Sequence, residues 1–454
     1  MVEAFNRLKR LCKLLTTAAL LLCGAVRVTY AADMVLISDT ETQNYLAEVV
    51  RPLFKAAGVP FDKNRLMIIN DSSLNAFVSD GNYMFVHTGT LLAADNTNEI
   101  AGILAHETGH IMGGHIVRLK LKAQKMQYVM LGSILAAGAA AVSTGRGDAA
   151  MAIMLGSQSS AINSMLHYQI QEERNADEAA VKLLAQTHQS TDGLLHFMQK
   201  IRKRNQMGGI DERDYFSNHP LTSERISHFT EVAKSNHYPA TSALDTRFAL
   251  VQAKLSGFME DPAKVKRRYP NPEQSAPARY AHSILAFKQG KIDRALQLID
   301  ALIAAQPKNP YFYEQKGQFL FESGRINESI KAYEKALALL PDTPLLQISL
   351  AHALLESSDT KNTAERARTL LQKALIKQDT PIGWQFLARA EDTLGHPAAA
   401  LYAAAEFSYG IGNLEVAQKQ AEQAAKIARE QSLKLKIADL QERVEQDLKE
   451  LYSD

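Results

Sequence analysis

Tyr45, Leu46, Val49, Val50, Leu53 and Phe54 fall at the i, i+3, i+4 spacing of a helix with one buried face. Thr40-Glu41-Thr42-Gln43 reads as a capping box opening that helix, Gly58 and Pro60 as its end, and Pro52 as the place for a kink. Residues 66–69 read as a strand. Asn75 to Ser79 and Tyr83 to His87 flank Asp80-Gly81, a hairpin signal. Ile100, Ile103, Leu104 and Ile111 then return to helical spacing behind Asn96-Thr97-Asn98-Glu99, where a capping residue stands three before a Glu. A small sheet thus precedes a capped helix.

Two stretches follow with almost no charge. Residues 126–145 carry none, and neither do residues 149–166. Their length permits membrane spans, but Ala, Gly and uncharged polar residues make up much of both, and Arg146-Gly147-Asp148 offers one basic residue and no aromatic anchor. The expectation is two helices covering the candidate site on the capped helix, with peripheral membrane contact through 126–166 rather than true spans. A further helix runs from Gln171 through Ala180, Val181, Leu183 and Leu184.

The chain changes character at His237-Tyr238-Pro239 and again between Glu260 and Pro272, both expected connections. Beyond them Gly290-Lys291-Ile292-Asp293-Arg294-Ala295 recurs as Gly324-Arg325-Ile326-Asn327-Glu328-Ser329, thirty-four residues later, and Pro307 recurs as Pro341. That interval is the tetratricopeptide period. Later units are looser: Ser357-Ser358-Asp359 replaces the turn glycine, Gly395 and Gly412 mark further turns, and a charged helix runs from Gln431 to Leu451.

Composition changes the picture at the N-terminus. Arg7, Lys9, Arg10 and Lys13 precede an apolar run from Leu14 to Val26 and then Thr29-Tyr30-Ala31-Ala32, the pattern of a secretory signal peptide over residues 1–31. Both cysteines, Cys12 and Cys23, lie inside it, so a processed chain has no disulfide and no thiolate metal site. Processing would also move the formal charge from +2 to about −2, which gives no reason to expect a nucleic-acid partner. The length of 454 residues fits two or three domains. The expected division is a first domain over 32–240 and a repeat domain over 241–454 with a linker at its start.

The candidate chemistry sits on the capped helix. In His106-Glu107-Thr108-Gly109-His110 the two histidines are four apart and share a helix face, so both imidazoles can reach one zinc ion while Glu107 stands beside it as a general base. A catalytic zinc needs a third protein ligand. A metzincin would place it at residue 116, which is Ile; Gly113 fits that pattern but His115 falls one residue early, so the class is excluded. Glu173, in Gln171-Glu172-Glu173-Arg174-Asn175-Ala176-Asp177, is the expected third ligand. Asp177, four residues on, is placed to accept a hydrogen bond from a ligand imidazole. The competing reading of that run is a solvated charged face. His87, His115, His167, His188, His196, His228 and His237 have no competing ligand spacing and read as ordinary histidines.

These motifs, together with Asn218-His219-Pro220-Leu221-Thr222-Ser223-Glu224-Arg225-Ile226, Asn75-Ala76-Phe77 and Gly89-Thr90-Leu91-Leu92, resemble peptidase family M48 over roughly residues 39–229. The resemblance implies a mainly α protein: a zincin-type α+β metallopeptidase domain with a small sheet, followed by an all-α tetratricopeptide solenoid. It implies one Zn2+ per chain on His106, His110 and Glu173, with Glu107 as base and Asp177 behind the ligands. His219 either supports the oxyanion or caps the open metal position, and Arg225 either orients a carboxylate or holds its loop. The function implied is a secreted, periplasmic endopeptidase of Gram-negative bacteria cutting misfolded or misassembled envelope proteins, with repeats that recruit substrate or outer-membrane assembly machinery. Two alternatives stay open, a repeat-based chaperone with a largely latent peptidase site and a membrane-embedded quality-control protease.

Overall fold

The computed structural model describes residues 35–144, 147–207, 219–234, 238, 242–357 and 360–452. The expected leader lies outside them, as do Arg146, Asn218, His237, Pro239 and the Ser358-Asp359 turn. Strand β1 (Leu36–Ile37) leads into helix α1 (Thr40–Ala56). The cap is Asp39 rather than Thr40: its carboxylate accepts the Thr42 amide at 2.7 Å. The whole predicted stripe from Tyr45 to Phe54 is buried.

Strands β2 (Leu66–Ile69), β3 (Ala76–Ser79) and β4 (Tyr83–His87) complete a sheet of order β1-β2-β4-β3. β2 runs parallel to β4, pairing Ile68 with Val86, and β3 runs antiparallel, pairing Phe77 with Phe85. The β3–β4 turn needs left-handed backbone at Gly81 (φ 72°) and Asn82 (φ 60°), residue types that tolerate it. Alternation along the strands sends Leu66, Ile68, Ala76, Val78, Met84 and Val86 into the core with α1. The strand order leaves β3 at an edge of the sheet.

Helix α2 (Thr88–Ala93) precedes α3 (Thr97–Gly113), which carries the two histidines. Asn96 caps α3 by accepting the Glu99 amide at 3.1 Å, and Gly114, left-handed at φ 63°, ends it. Nearly every side chain of α3 through His110 is buried, including Glu99, whose carboxylate meets Lys200 at 2.8 Å. The two uncharged stretches belong to longer helices, α4 (His115–Thr144) and α5 (Gly147–Gln186), packed on each other. Among the described residues no helix is long and apolar enough to cross a membrane. The second half of α5 lies along α3, and α6 (Asp192–Gln206) and α7 (Ser223–Ala233) close the core through Leu194, Phe197, Ile201 and Phe229.

Helix α8 (Ser242–Met259) belongs to two cores, Phe248, Val251 and Leu255 packing with the sheet and α1, Leu250 and Ala253 with the repeats. The stretch expected as a connection after Glu260 holds a short helix, α9 (Pro262–Arg268), with Val265 buried. Antiparallel pairs then stack: α10 (Ala276–Lys288) with α11 (Ile292–Ala305), α12 (Pro310–Glu322) with α13 (Ile326–Leu339), and α14 (Pro344–Leu355) with α15 (Thr360–Lys377). α16 (Pro381–Thr393), α17 (Pro397–Gly410), α18 (Leu414–Ile427) and α19 (Gln431–Tyr452) continue the array. Gly290 and Gly324 hold their turns at φ 73° and 78°, which is why glycine recurs there at the repeat interval. The fold is thus an α+β unit followed by an all-α solenoid.

Candidate metal centre

α3 and α5 bring the predicted residues together. His106, His110, Glu173 and His219 each offer one donor atom, all within 4.8 Å of one another, and all four residues are buried. The Nε2 atoms of His106 and His110 stand 3.1 Å apart. Glu173 Oε2 lies 3.2 Å from His106 Nε2, and Glu173 Oε1 lies 3.3 Å from His110 Nε2. His219, on the segment before α7, places Nδ1 2.9 Å from Glu173 Oε1 and 3.4 Å from His106 Nε2. Glu107 is fully buried, with His219 Nε2 3.5 Å from its Oε1 and no hydrogen bond to either carboxylate oxygen among the described residues.

A second ring of contacts fixes these groups. Asp177 Oδ1 lies 2.9 Å from His106 Nδ1, which turns Nε2 toward the cluster. Arg225 grips Asp177 with two N–H groups at 2.6 and 2.8 Å, reaches Glu173 Oε2 at 2.8 Å, and donates to the Pro220 carbonyl at 3.0 Å. One guanidinium therefore ties the carboxylates of α5 to the loop that carries His219. His115 reads as an ordinary histidine in the sequence, yet its Nδ1 stands 2.8 Å from His110 Nδ1 and its Nε2 2.7 Å from Glu172 Oε2. Arg118 holds Glu172 in turn.

The donor set fits a divalent cation. Burial opposes charge on His106, but Asp177 and Glu173 more than reverse it and lift its pKa to about 9. Glu173 is held well below the carboxylate range despite burial, by His219 and His106 first. Burial keeps His110 neutral, at about 3, as a ligand imidazole must be. The carboxylates of Glu173 and Asp177 thus favour positive charge at His106, the sign a divalent cation would supply. Burial also raises the Glu107 carboxyl, which strengthens it as a proton acceptor. Beside these groups opens a cavity of about 390 Å³, walled on one side by Phe77 and Val78 of edge strand β3 and on the other by Ile116, Leu119 and Tyr168 from the roots of α4 and α5.

A helix presenting His-Glu-x-x-His to a glutamate from a second helix, with a buried carboxylate beside them, defines a metallopeptidase. Residues 40–233 match the model of Peptidase family M48, and residues 280–344 match that of the Tetratricopeptide repeat. The chain thus resembles family M48 metallopeptidases over residues 40–233 and tetratricopeptide repeats over residues 280–344. The β-barrel assembly-enhancing protease of Escherichia coli (strain K12) is 24% identical to it over 430 residues, 90% of this chain and 82% of that protein. The protein of the same name from Yersinia pestis is 24% identical over 83% of this chain and 77% of its own length. Metalloprotease YcaL of Escherichia coli (strain K12) is 29% identical over 35% of this chain and 58% of its own.

Proposed function

We propose that the chain is a zinc-dependent endopeptidase of the Gram-negative periplasm that cuts misfolded or misassembled envelope proteins. The observation that carries this reading is the buried donor set of His106, His110 and Glu173 with Glu107 beside it. The relatives named for β-barrel assembly support the envelope as the place of action and outer-membrane assembly machinery as a partner of the repeats. The proposed division is a leader over 1–31, a peptidase domain over 32–240 and a repeat domain over 241–454, with α8 packed in both.

In this reading His106, His110 and Glu173 hold the zinc. Bound zinc supplies an acidified water and polarises the scissile carbonyl. Glu107 takes the proton from the attacking water and returns it to the leaving amine. Asp177 fixes the His106 tautomer, and Arg225 keeps both carboxylates of α5 aimed inward. An extended substrate lies along β3, where main-chain hydrogen bonds to an edge strand hold it irrespective of its side chains.

The position of His219 favours a second reading of the resting state. Its Nδ1 belongs to the donor cluster, so it would occupy the position left open for water and keep the enzyme idle, a latent peptidase. The test is zinc content and casein cleavage for the unaltered chain and its Glu107→Gln, Glu173→Ala and His219→Ala variants. Expected is about one zinc per chain, cleavage lost with metal kept in Glu107→Gln, both lost in Glu173→Ala, and cleavage raised in His219→Ala. A chain that binds no zinc ends the enzyme reading. Lowered cleavage in His219→Ala makes it a transition-state group instead.

A further inference from the structure

The outer halves of α4 and α5 leave apolar side chains in solvent on more sides than one. Tyr128 and Leu135 are each 75% exposed, and Val129, Met130, Leu131 and Ile134 are exposed with them. Residues 128–131 are consecutive, and consecutive helical residues stand about 100° apart, so these four point to every side of α4. α5 covers only one of those sides, and it exposes Met151, Met154 and Leu155 itself. A helix apolar all round is ordinarily buried. A single folded partner would cover one face; a fluid apolar phase covers them all.

Charge selects the phase. From residue 115 to residue 171 the chain holds Arg118, Lys120, Lys122, Lys125 and Arg146 against a single acid, Asp148. The lysines stand at the inner end of the apolar stretch, Lys125 exposed and Lys120 exposed but paired with Asp80, and the sequence puts Arg146 and Asp148 at the outer end, Asp148 as the second residue of α5. Charge at both ends keeps the pair out of the bilayer midplane, in accord with helices too weakly apolar to cross a membrane. Such a pair lies in the membrane surface, its apolar sides among acyl chains and its lysines among phosphates.

We propose that the α4–α5 hairpin is a monotopic docking element for an anionic phospholipid surface. Its consequence follows from the cavity beside the metal centre, whose wall is built from Ile116, Leu119 and Tyr168 at the hairpin's root. Docking brings the mouth of the peptidase cleft to the lipid surface, where a membrane protein that has failed to insert presents its extended segments. The inference goes beyond the peptidase reading, and its test contains no cleavage step.

The full chain has only Cys12 and Cys23, so with both replaced by serine one cysteine can be placed at will. An environment-sensitive fluorophore at Leu131→Cys or Leu135→Cys is compared with one at Ile376→Cys, which is exposed on the solenoid. These are surface positions, and circular dichroism verifies that each variant folds. On adding vesicles of phosphatidylcholine with phosphatidylglycerol, the emission shifts to the blue at 131 and 135 and not at 376. The pair Lys122→Glu and Lys125→Glu raises the lipid concentration for half the shift more than tenfold. Probes at 131 and 135 that ignore the vesicles overturn the proposal. So does a blue shift without lipid that grows with protein concentration, which marks a second copy, or one that appears only with unfolded casein, which marks a protein partner.

Discussion

His115 touches the far side of the His110 imidazole, Nδ1 to Nδ1 at 2.8 Å. With His110 Nε2 facing the cluster, its Nδ1–H donates to His115 Nδ1, and His115 Nε2–H donates to Glu172, which Arg118 anchors. The chain of donors leaves one tautomer for each ring, so His115 positions His110 as Asp177 positions His106. His115→Ala should weaken metal binding about tenfold to a hundredfold in chelator competition. His115→Gln, whose amide can accept and donate at the same two places, should recover part of the loss; equal affinity in all three would leave His115 a packing residue. Sequence spacing hid this residue for a definite reason. Residues five apart do not share a face of one helix, but α3 stops at left-handed Gly114 and α4 starts at His115, which folds the ring back. Gly113 makes the room, since a Cβ there would sit 2.1 Å from His115 Nε2. The grouping of His106 with His110 and of Glu173 with Asp177 was legible because each pair is spaced by four on an unbroken helix, and the structure sets the two pairs side by side.

At the scale of elements the site depends on how closely α5 approaches α3. Gly109 sits inside the metal motif, and a Cβ there would fall 2.7 Å from the Ala176 carbonyl oxygen and 3.2 Å from the Ala179 methyl. The backbone of α5 cannot retreat without taking Glu173 and Asp177 with it. Gly109→Ala should therefore cost about 1–3 kcal/mol of stability, seen as a lowered melting temperature, and should lower metal affinity as well. Undiminished affinity would mean that α5 shifts along its axis without losing the ligand. Most elements could be read from periodicity and punctuation: the α1 stripe, the β3–β4 turn at Asp80-Gly81 and the thirty-four-residue turns at Gly290 and Gly324. The shared role of α8 could not, because Leu250 and Val251 look alike in sequence and differ only in which core they enter. The length of α4 and α5 was hidden by the apolar stretch itself, which has no start or stop signal at its inner ends.

Across the whole molecule the peptidase unit and the repeats meet on buried charge. Lys254 of α8 pairs with the α1 cap Asp39 and lies 3.7 Å from Glu41, whose Oε2 accepts a hydrogen bond from Tyr280 of α10 at 3.0 Å. Glu314 of α12 adds a third carboxylate, with its Oε2 shut off from water. One ammonium cannot offset three carboxylates. Burial accordingly lifts Glu41 and Glu314 to about 7 from an ordinary 4.5, while Asp39, against its own burial, is held low by Lys254. Between pH 4.5 and 7 the folded chain thus keeps protons on Glu41 and Glu314 that the unfolded chain releases. Stability must fall as pH rises through that window and level off above it. Asp39 acts in the opposite sense, and its contribution is lost only as pH falls through its depressed pKa; that of Lys254 is lost only in strong alkali. Thermal melts of the metal-free chain should therefore drop between pH 5 and 7.5, by an amount on the order of 3 kcal/mol for each carboxylate. Glu41→Gln with Glu314→Gln removes both titrations and should flatten that slope. An unchanged slope would place the pH dependence elsewhere and leave this junction a fixed brace. A flattened one makes the joint between peptidase and repeats tighter in acid and looser at neutral pH.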